Sequence, residues 1–398
     1  MASLLRSLVE LSEKAANLAR IIRSERALFE LLVEEKTGEQ KNKRFVRDFK
    51  TLGDVLIQEM IHHEIAKKFP NLGDYVFGEE TNKFTNTLGE SITVAVQSTE
   101  DQTCQLLTKV LDGNGDAATL LAKAVHCDDV ALPTDPGLDS LNAEVDVDSL
   151  GIWIDPIDGT AQYIKGLSDE LPTDGIHEEG LQCAIILIGA FDRQSGEPVI
   201  GVINQPFCRI NGDNQWQGRY VWGISHGNLQ ANSLTPVFND LPSTRGLSVI
   251  TSCSENEDIR AALHRLTCGK IRYASGAGYK ILCAVERRVD AYILTAGSTF
   301  KWDTCGPHAI LRSLGGGVVD LQAALRVYRG GQHGGEPGSG ADPAGLDLGP
   351  AELHYHERDA SSSNDPGQMW ANAGGLVAYR SKEVLLQFLE ALSTHPSL

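Results

Sequence analysis

The segment Gly151-Ile152-Trp153-Ile154-Asp155-Pro156-Ile157-Asp158-Gly159-Thr160 constrains this chain more than any other. Its apolar, β-branched run reads as a buried strand, and the strand delivers two carboxylates three residues apart. Pro156 removes one N–H and fixes φ, so the pattern predicts a rigid turn that aims Asp155, Asp158 and the Ile157 carbonyl at one point. Hard oxygen ligands of this kind suit Mg²⁺. Gly159 and Thr160 then offer backbone N–H groups, which bind a phosphate oxygen without a positive side chain. Taken alone, the segment also fits a plain turn, the less favoured reading.

Strand-like and helical runs alternate around it. Apolar runs at 75–78, 150–154, 183–188, 199–203, 247–251 and 291–294 read as strands. Leu4, Leu8, Leu11, Ala15, Leu18 and Ile22 recur at helical steps, and similar patterns fall at 55–65, 259–266, 279–285, 309–314 and 384–392. The Asn211-Gly212 turn makes 199–223 read as hairpins, so an α/β fold with mixed sheets and flanking helices fits better than a purely parallel sheet. The expected division is an N-terminal half over 1–180 and a C-terminal half over 181–398, with the Gly/Pro/Ser-rich stretch 330–368 as a surface insertion. Lys41, Lys43, Arg44, Arg47 and Lys50 form a basic run, either a solvated face or a mobile segment near an anionic substrate.

The 35 Lys+Arg against 53 Asp+Glu leave a formal net charge of −18, which argues against a nucleic-acid partner. No run of about 20 apolar residues exists, so no membrane insertion is expected. Charges from Arg6 onward rule out a secretory signal in the first residues. Eight scattered cysteines without a CxxC pair point to reduced thiols and a cytoplasmic protein. Three motifs fail on inspection. The calcium-loop start at Asp112 lacks its Gly (Ala117) and its Glu (Lys123). Ser225 in Gly223-Ile224-Ser225-His226-Gly227 is followed by loop residues rather than a helix. Gly276-Ala277-Gly278 lacks the third glycine of a dinucleotide fingerprint, carrying Ile281 instead.

Further acids complete a set. Glu79 and Glu80 follow a strand and Gly78, while Asp54 and Asp303 each open a helix, where N-capping is the competing role. In this order, Asp54, Gly78-Glu79-Glu80, Asp155 to Thr160 and Trp302-Asp303 with Gly315-Gly316 resemble the lithium-sensitive, magnesium-dependent phosphatases of the inositol monophosphatase superfamily. The resemblance extends through FKTLGDVLIQEM, GLQCAIILIG, GVINQPF, GAGYK and QMWANAGGLVAYRS; 330–368 is poorly matched. Gly159 stands where close relatives often carry Ser, and Asn256 where relatives can carry Lys.

The resemblance implies a layered α/β/α/β/α sandwich of the inositol monophosphatase and fructose-1,6-bisphosphatase type, with the site between its sheet-bearing halves. It implies two to three Mg²⁺ ions held by Glu79, Asp155, the Ile157 carbonyl, Asp158 and Asp303. Glu80 would assist through water, and Li⁺ would inhibit at a metal position near Asp54. The nucleophile would be a water held by metal, placed by Thr160 and passing its proton toward Asp54, with a phosphothreonine route as the less favoured choice. Asp158, Gly159 and Thr160 would take the scissile phosphate, and Ser254, Asn256, Gly276, Ala277 and Lys280 the inositol and its remaining phosphate. The implied reaction removes the 1-phosphate from inositol 1,4-bisphosphate and inositol 1,3,4-trisphosphate, by a monomer with no partner beyond small inositol polyphosphates. Bound Mg²⁺ would reconcile an acidic chain with a polyanionic substrate. Two rivals stay open: a 3′-phosphoadenosine bisphosphate nucleotidase sharing the metal set, and a non-catalytic inositol-phosphate-binding protein.

Overall fold

In the computed structural model, which describes residues 3–24, 33–36, 49–128, 132–141, 145–168, 171–234, 246–333, 346–358 and 368–395, the predicted amphipathic start is helix α1 (Leu4–Ser24). A ribbon of β1 (Val33–Glu35) and β2 (Phe49–Thr51) leads into α2 (Leu52–Lys68). Then come β3 (Val76–Gly78), the ribbon β4 (Lys83–Thr85) and β5 (Ser91–Thr93), and helices α3 (Glu100–Val110) and α4 (Gly115–His126). The motif strand is β6 (Leu150–Asp158), followed by α5 (Thr160–Lys165), β7 (Ile185–Asp192), β8 (Pro198–Ile210), β9 (Trp216–His226) and β10 (Leu229–Asn232). After these lie β11 (Val249–Thr251), α6 (Glu257–Leu266), β12 (Ile271–Tyr273), α7 (Ala277–Val285), β13 (Ala291–Leu294), α8 (Lys301–Ser313), β14 (Gly317–Asp320), α9 (Leu321–His333), β15 (Leu376–Tyr379) and α10 (Lys382–Ser393).

Two mixed sheets result, of order β10-β9-β8-β7-β6-β3 and β12-β11-β13-β15-β14. Side chains alternate across each strand, so each sheet feeds two cores. Ile152, Ile154, Ile186, Ile188 and Val202 pack outward against α1 and α2. Trp153, Leu187 and Val221 face inward, with Tyr279 of α7 and Ile310 of α8. In the second sheet Tyr292 and Val318 face this same middle layer, while Ile293 and Val377 pack against α6, α9 and α10. The layers read α/β/α/β/α.

The middle layer sits unusually close to the first sheet. Gly189, Gly201 and Gly223 are cross-strand partners on β7, β8 and β9, and form a bare row on the inner face. Helix α8 lies along that row at Gly306. A Cβ on Gly201 would stand 1.9 Å from the Gly306 carbonyl oxygen, and one on Gly189 2.3 Å from the Gly306 nitrogen. The glycines therefore set the depth of the helix that carries Asp303.

Three expectations change. The changeover between sheets falls between Asn232 and Val249, not at 180/181, because β7 to β10 continue the first sheet by antiparallel pairing from β6. The stretch 330–368 is not surface throughout: Leu353 and Tyr355 are buried, and Tyr355 accepts a hydrogen bond from Trp153 Nε1 at 3.0 Å. Leu353 and Tyr355, spaced among charges, close the middle core from one side. Of the basic run, Lys41, Lys43, Arg44 and Arg47 lie outside the described residues, while Lys50 is buried with its ammonium 2.6 Å from the Lys83 carbonyl.

Candidate active site

The predicted turn at Pro156 is a β-bulge within a strand that runs on to Asp158. Asp155 pairs with Leu187 and Asp158 with Ile185, so three steps along β6 oppose two along β7. In a regular strand, residues three apart point to opposite faces; one extra residue returns them to the same face. Pro156 fits here because the bulge breaks the ladder that its missing N–H could not serve. The bulge is what turns a DPID sequence into a pair of carboxylates.

Asp303 meets that pair from α8. Ligand oxygens of Asp155, Asp158 and Asp303 all lie within 4.8 Å of one another, and all three residues are buried. Asp303 and Asp54 are not N-caps. Each sits three residues into its helix and uses one oxygen to accept the N–H of the capping residue, Phe300 N or Thr51 N, at 2.6 Å in both cases. The other oxygen of each is left for the site. For Asp54, Oδ1 lies 3.4 Å from Thr160 Oγ1, which in turn lies 3.0 Å from the Ile157 carbonyl.

Glu79 and Glu80 come off the end of β3, where Glu79 N–H donates to the Ile154 carbonyl and continues the parallel pairing with β6. Gln58 of α2 fixes the pair: its amide accepts from Glu80 N–H at 2.9 Å and donates to the Glu80 carbonyl at 2.6 Å. Gly78 has no Cβ because Gln58 occupies that space, at 2.0 Å. Sequence reasoning missed Gln58, and it also missed Lys36. The Lys36 ammonium lies 2.6 Å from a carboxylate oxygen of both Glu79 and Glu80, with a side chain only 3% exposed. Nothing in Val33-Glu34-Glu35-Lys36 distinguishes this lysine from a solvated one; only the β1–β2 pairing brings it in.

The residues expected to meet phosphate and ring divide into two groups. Gly159 adopts a left-handed conformation (φ 86°), and a Cβ there would stand 3.0 Å from the Cys183 carbonyl oxygen. Asp158 accepts from Ala277 N–H at 3.2 Å and Gly278 N–H at 2.7 Å, which ties the bulge to the start of α7. Gly276 (φ 77°) packs against the same Cys183 carbonyl and Asp158, so Gly159, Gly276 and Ala277 join the acids. Lys280 is buried beneath this loop, its ammonium donating to the Ala274 and Gly276 carbonyls at 3.1 and 2.6 Å. Ser254 and Asn256 are exposed on the loop after β11, and the Asn256 side chain caps α6 by accepting from Asp258 N–H at 2.8 Å.

Packing this many acids together is costly without a counterion. Burial pushes the Asp54 carboxyl up to about 6 against two hydrogen bonds from Thr51, and the Glu80 carboxyl up to about 8 despite Lys36. Burial, then the charges of Glu79, Asp158, Asp303 and Asp54, drive Asp155 well above its ordinary range. Asp158 and Asp303 are raised mainly by burial too. Asp155 Oδ1 is buried with no hydrogen-bond partner among the described residues. A buried carboxylate oxygen without a partner, among four other acids that repel it, fits a cation site. An acid raised in the folded state favours folding at low pH and loses that contribution as pH rises through the folded value. For Asp54 the window runs from 3.8 to about 6, and for Glu80 from 4.5 to about 8. In chelator, thermal melting is therefore expected to show falling stability from pH 4 to pH 8, and a divalent cation to flatten that slope; a metal-free protein that gains stability over this range would contradict the reading.

The inositol monophosphatase family model matches residues 5–344. Inositol polyphosphate 1-phosphatase of Mus musculus is 46% identical over 404 residues, covering 98% of this chain and 97% of that protein. The Homo sapiens protein of the same name is 46% identical over 408 residues, again covering 98% and 97%. A crystal structure of an IMPase/NADP phosphatase complexed with NADP and Ca²⁺ superposes with a TM-score of 0.51 at 13% identity, over 100% of this chain and 98% of that one, which shows the shared fold.

Proposed function

The chain belongs to the inositol monophosphatase family and is a phosphatase of inositol phosphates; from that premise we propose that it removes the 1-phosphate of inositol 1,4-bisphosphate and inositol 1,3,4-trisphosphate, using Mg²⁺ and inhibited by Li⁺. The observation that carries the metal reading is the meeting of Asp155, Asp158 and Asp303, with Asp155 Oδ1 lacking a hydrogen-bond partner among the described residues. Glu79, Glu80, Asp54 and the Ile157 carbonyl add oxygen donors, enough for two to three ions once waters complete their shells.

When bound, Mg²⁺ supplies Lewis-acid stabilisation of charge on the scissile phosphate and makes water more acidic. The chain's own residues do the placing. Thr160 has one hydroxyl proton for two acceptors, Asp54 Oδ1 and the Ile157 carbonyl, and its oxygen can accept from a water. Asp54, whose Oδ1 lies within reach of the Thr160 hydroxyl, is the acceptor placed to take that water's proton through Thr160. Gly159 and Thr160 offer the backbone N–H groups proposed to take the scissile phosphate. Lys280 opposes the Asp158 charge from behind the loop, which supports a role in holding Gly276 and Asp158. Small inositol polyphosphates are the proposed partners of a monomer. Scattered cysteines without a CxxC pair, with Cys183, Cys283 and Cys305 as buried thiols, support the proposed reducing, cytoplasmic setting, and among the described residues no helix is long and apolar enough to cross a membrane.

The test is phosphate release from inositol 1,4-bisphosphate with and without Mg²⁺, beside 3′-phosphoadenosine 5′-phosphate. Faster turnover of the nucleotide would favour the nucleotidase rival, and binding without release would favour the non-catalytic one. Asp54→Asn keeps an acceptor for Thr51 N–H, so it should fold and melt near the wild type. Its kcat is expected to fall by about 10²–10⁴-fold, the usual contribution of a general base; an unchanged rate would remove Asp54 from the mechanism.

A further inference from the structure

We propose that Glu255 is the positioning residue that fixes the substrate loop against the metal-bearing half of the site, and so sets recognition of the inositol ring and its remaining phosphate. This rests on the reading of Ser254 and Asn256 as substrate contacts. Strands β11 and β13 are parallel neighbours, so the loops after them leave the same end of the sheet, the place where open α/β sheets bind ligands. The first loop carries Ser254 and Asn256. The second begins at Thr295 and runs to Phe300 and Asp303.

Glu255 is a buried acid that joins the two. Its Oε2 accepts from Thr295 N–H at 2.9 Å, and its Oε1 accepts from the Thr295 hydroxyl at 2.5 Å and from Asn256 N–H at 2.9 Å. Its own N–H donates to the Ser252 carbonyl at 3.0 Å. A carboxylate is stable out of water only when such donors surround it. Here each donor belongs to one of the two loops, which makes the carboxylate a clamp. The metal-side loop has other anchors: Asn372 N–H donates to the Thr299 carbonyl at 2.7 Å, Asn372 Nδ2 to the Phe300 carbonyl at 3.0 Å, and Lys301 N–H to the Trp370 carbonyl at 3.0 Å. Loss of the clamp should therefore release the Ser252 to Asn256 side and leave Asp303 in place.

Glutamine at 255 keeps the shape but turns an N–H₂ toward groups that are themselves donors. For Glu255→Gln the expected result is a KM for inositol 1,4-bisphosphate about tenfold higher with kcat within about twofold, the pattern of lost uniform binding. Hydrolysis of p-nitrophenyl phosphate, which has no inositol to recognise, should change less than twofold. Thr295→Val, which removes only the hydroxyl bond, should raise the same KM by a smaller factor, and Thr295→Ser should restore it. If Glu255→Gln proves too unstable to assay, the Thr295 pair decides alone. Equal losses on both substrates, or an unchanged KM for the bisphosphate, would overturn the proposal. If the wild type fails to hydrolyse inositol 1,4-bisphosphate while hydrolysing p-nitrophenyl phosphate, the underlying substrate reading fails instead.

Discussion

Asp155→Asn is expected to abolish phosphate release and, in the same preparation, to raise the melting temperature of the metal-free protein. Most substitutions of a buried residue lower both quantities. Here the two separate because Asp155 contributes an oxygen that no group among the described residues satisfies and a charge that four neighbouring acids oppose. The amide is nearly isosteric, so packing at the end of β6 is retained, while the burial cost of the charge and its repulsion from Glu79, Asp158, Asp303 and Asp54 disappear. Stability should rise by a kcal/mol or so, which moves a chain of this length by roughly 2 °C. The loss of activity should be on the order of 10³-fold, the scale on which removing one preorganised charge-stabilising group acts. Mg²⁺ should raise the melting point of the wild type by mass action and leave the variant almost unmoved. Differential scanning fluorimetry with and without Mg²⁺, beside a phosphate-release assay, reads both effects. A variant that still responds to Mg²⁺, or that melts lower like an ordinary core substitution, would remove Asp155 from the cation site.

The pair in Asp155-Pro156-Ile157-Asp158 was legible from its own residue types, whereas Asp303 was joined to it by the family resemblance; the structure brings these three acids together. The strand at 150–154, the helices near 259–266 and 279–285 and the mixed sheets followed from apolar periodicity, which reports burial directly. The bulge did not follow. A proline between two aspartates reads locally as a turn, and only the register with β7 shows one residue too many. Lys36, Gln58 and Glu255 were invisible for a related reason: a polar residue in a polar stretch carries no sign of the distant partner that buries it. Lys280 was read as a cation facing a phosphate, whereas its ammonium is engaged by the Ala274 and Gly276 carbonyls behind the loop, beside the positive φ of Gly276. Residues with an unusual local pattern stood out as candidates; those that hold other residues in place did not.

The glycine row shows how far such holding reaches. Gly201→Ala is expected to cost about 1–3 kcal/mol or more, the range of overpacked cores. The new Cβ would meet the Gly306 carbonyl oxygen at 1.9 Å, its carbon at 2.7 Å and its Cα at 3.1 Å, all backbone atoms of α8 that cannot turn aside as a side chain could. Relief requires the helix to lift from the sheet by about 1 Å, since contact between carbon and oxygen begins above about 3 Å. Asp303 rides on that helix, one turn before Gly306, and closes the site over Asp155 and Asp158. A displacement of about 1 Å at a reacting centre can cost on the order of 10²-fold in rate. Gly201→Ala should therefore weaken Mg²⁺ binding in calorimetry and lower kcat even at temperatures where the variant is fully folded, although Gly201 touches neither metal ligand nor substrate position. Gly212→Ala is the control: among the described residues no atom beyond its chain neighbours lies within 4 Å of its Cβ position, and it should stay within about 0.5 kcal/mol of the wild type with unchanged Mg²⁺ affinity. Stability lost at Gly201 with Mg²⁺ affinity intact would mean that α8 adjusts without moving Asp303, and that the close approach serves packing alone.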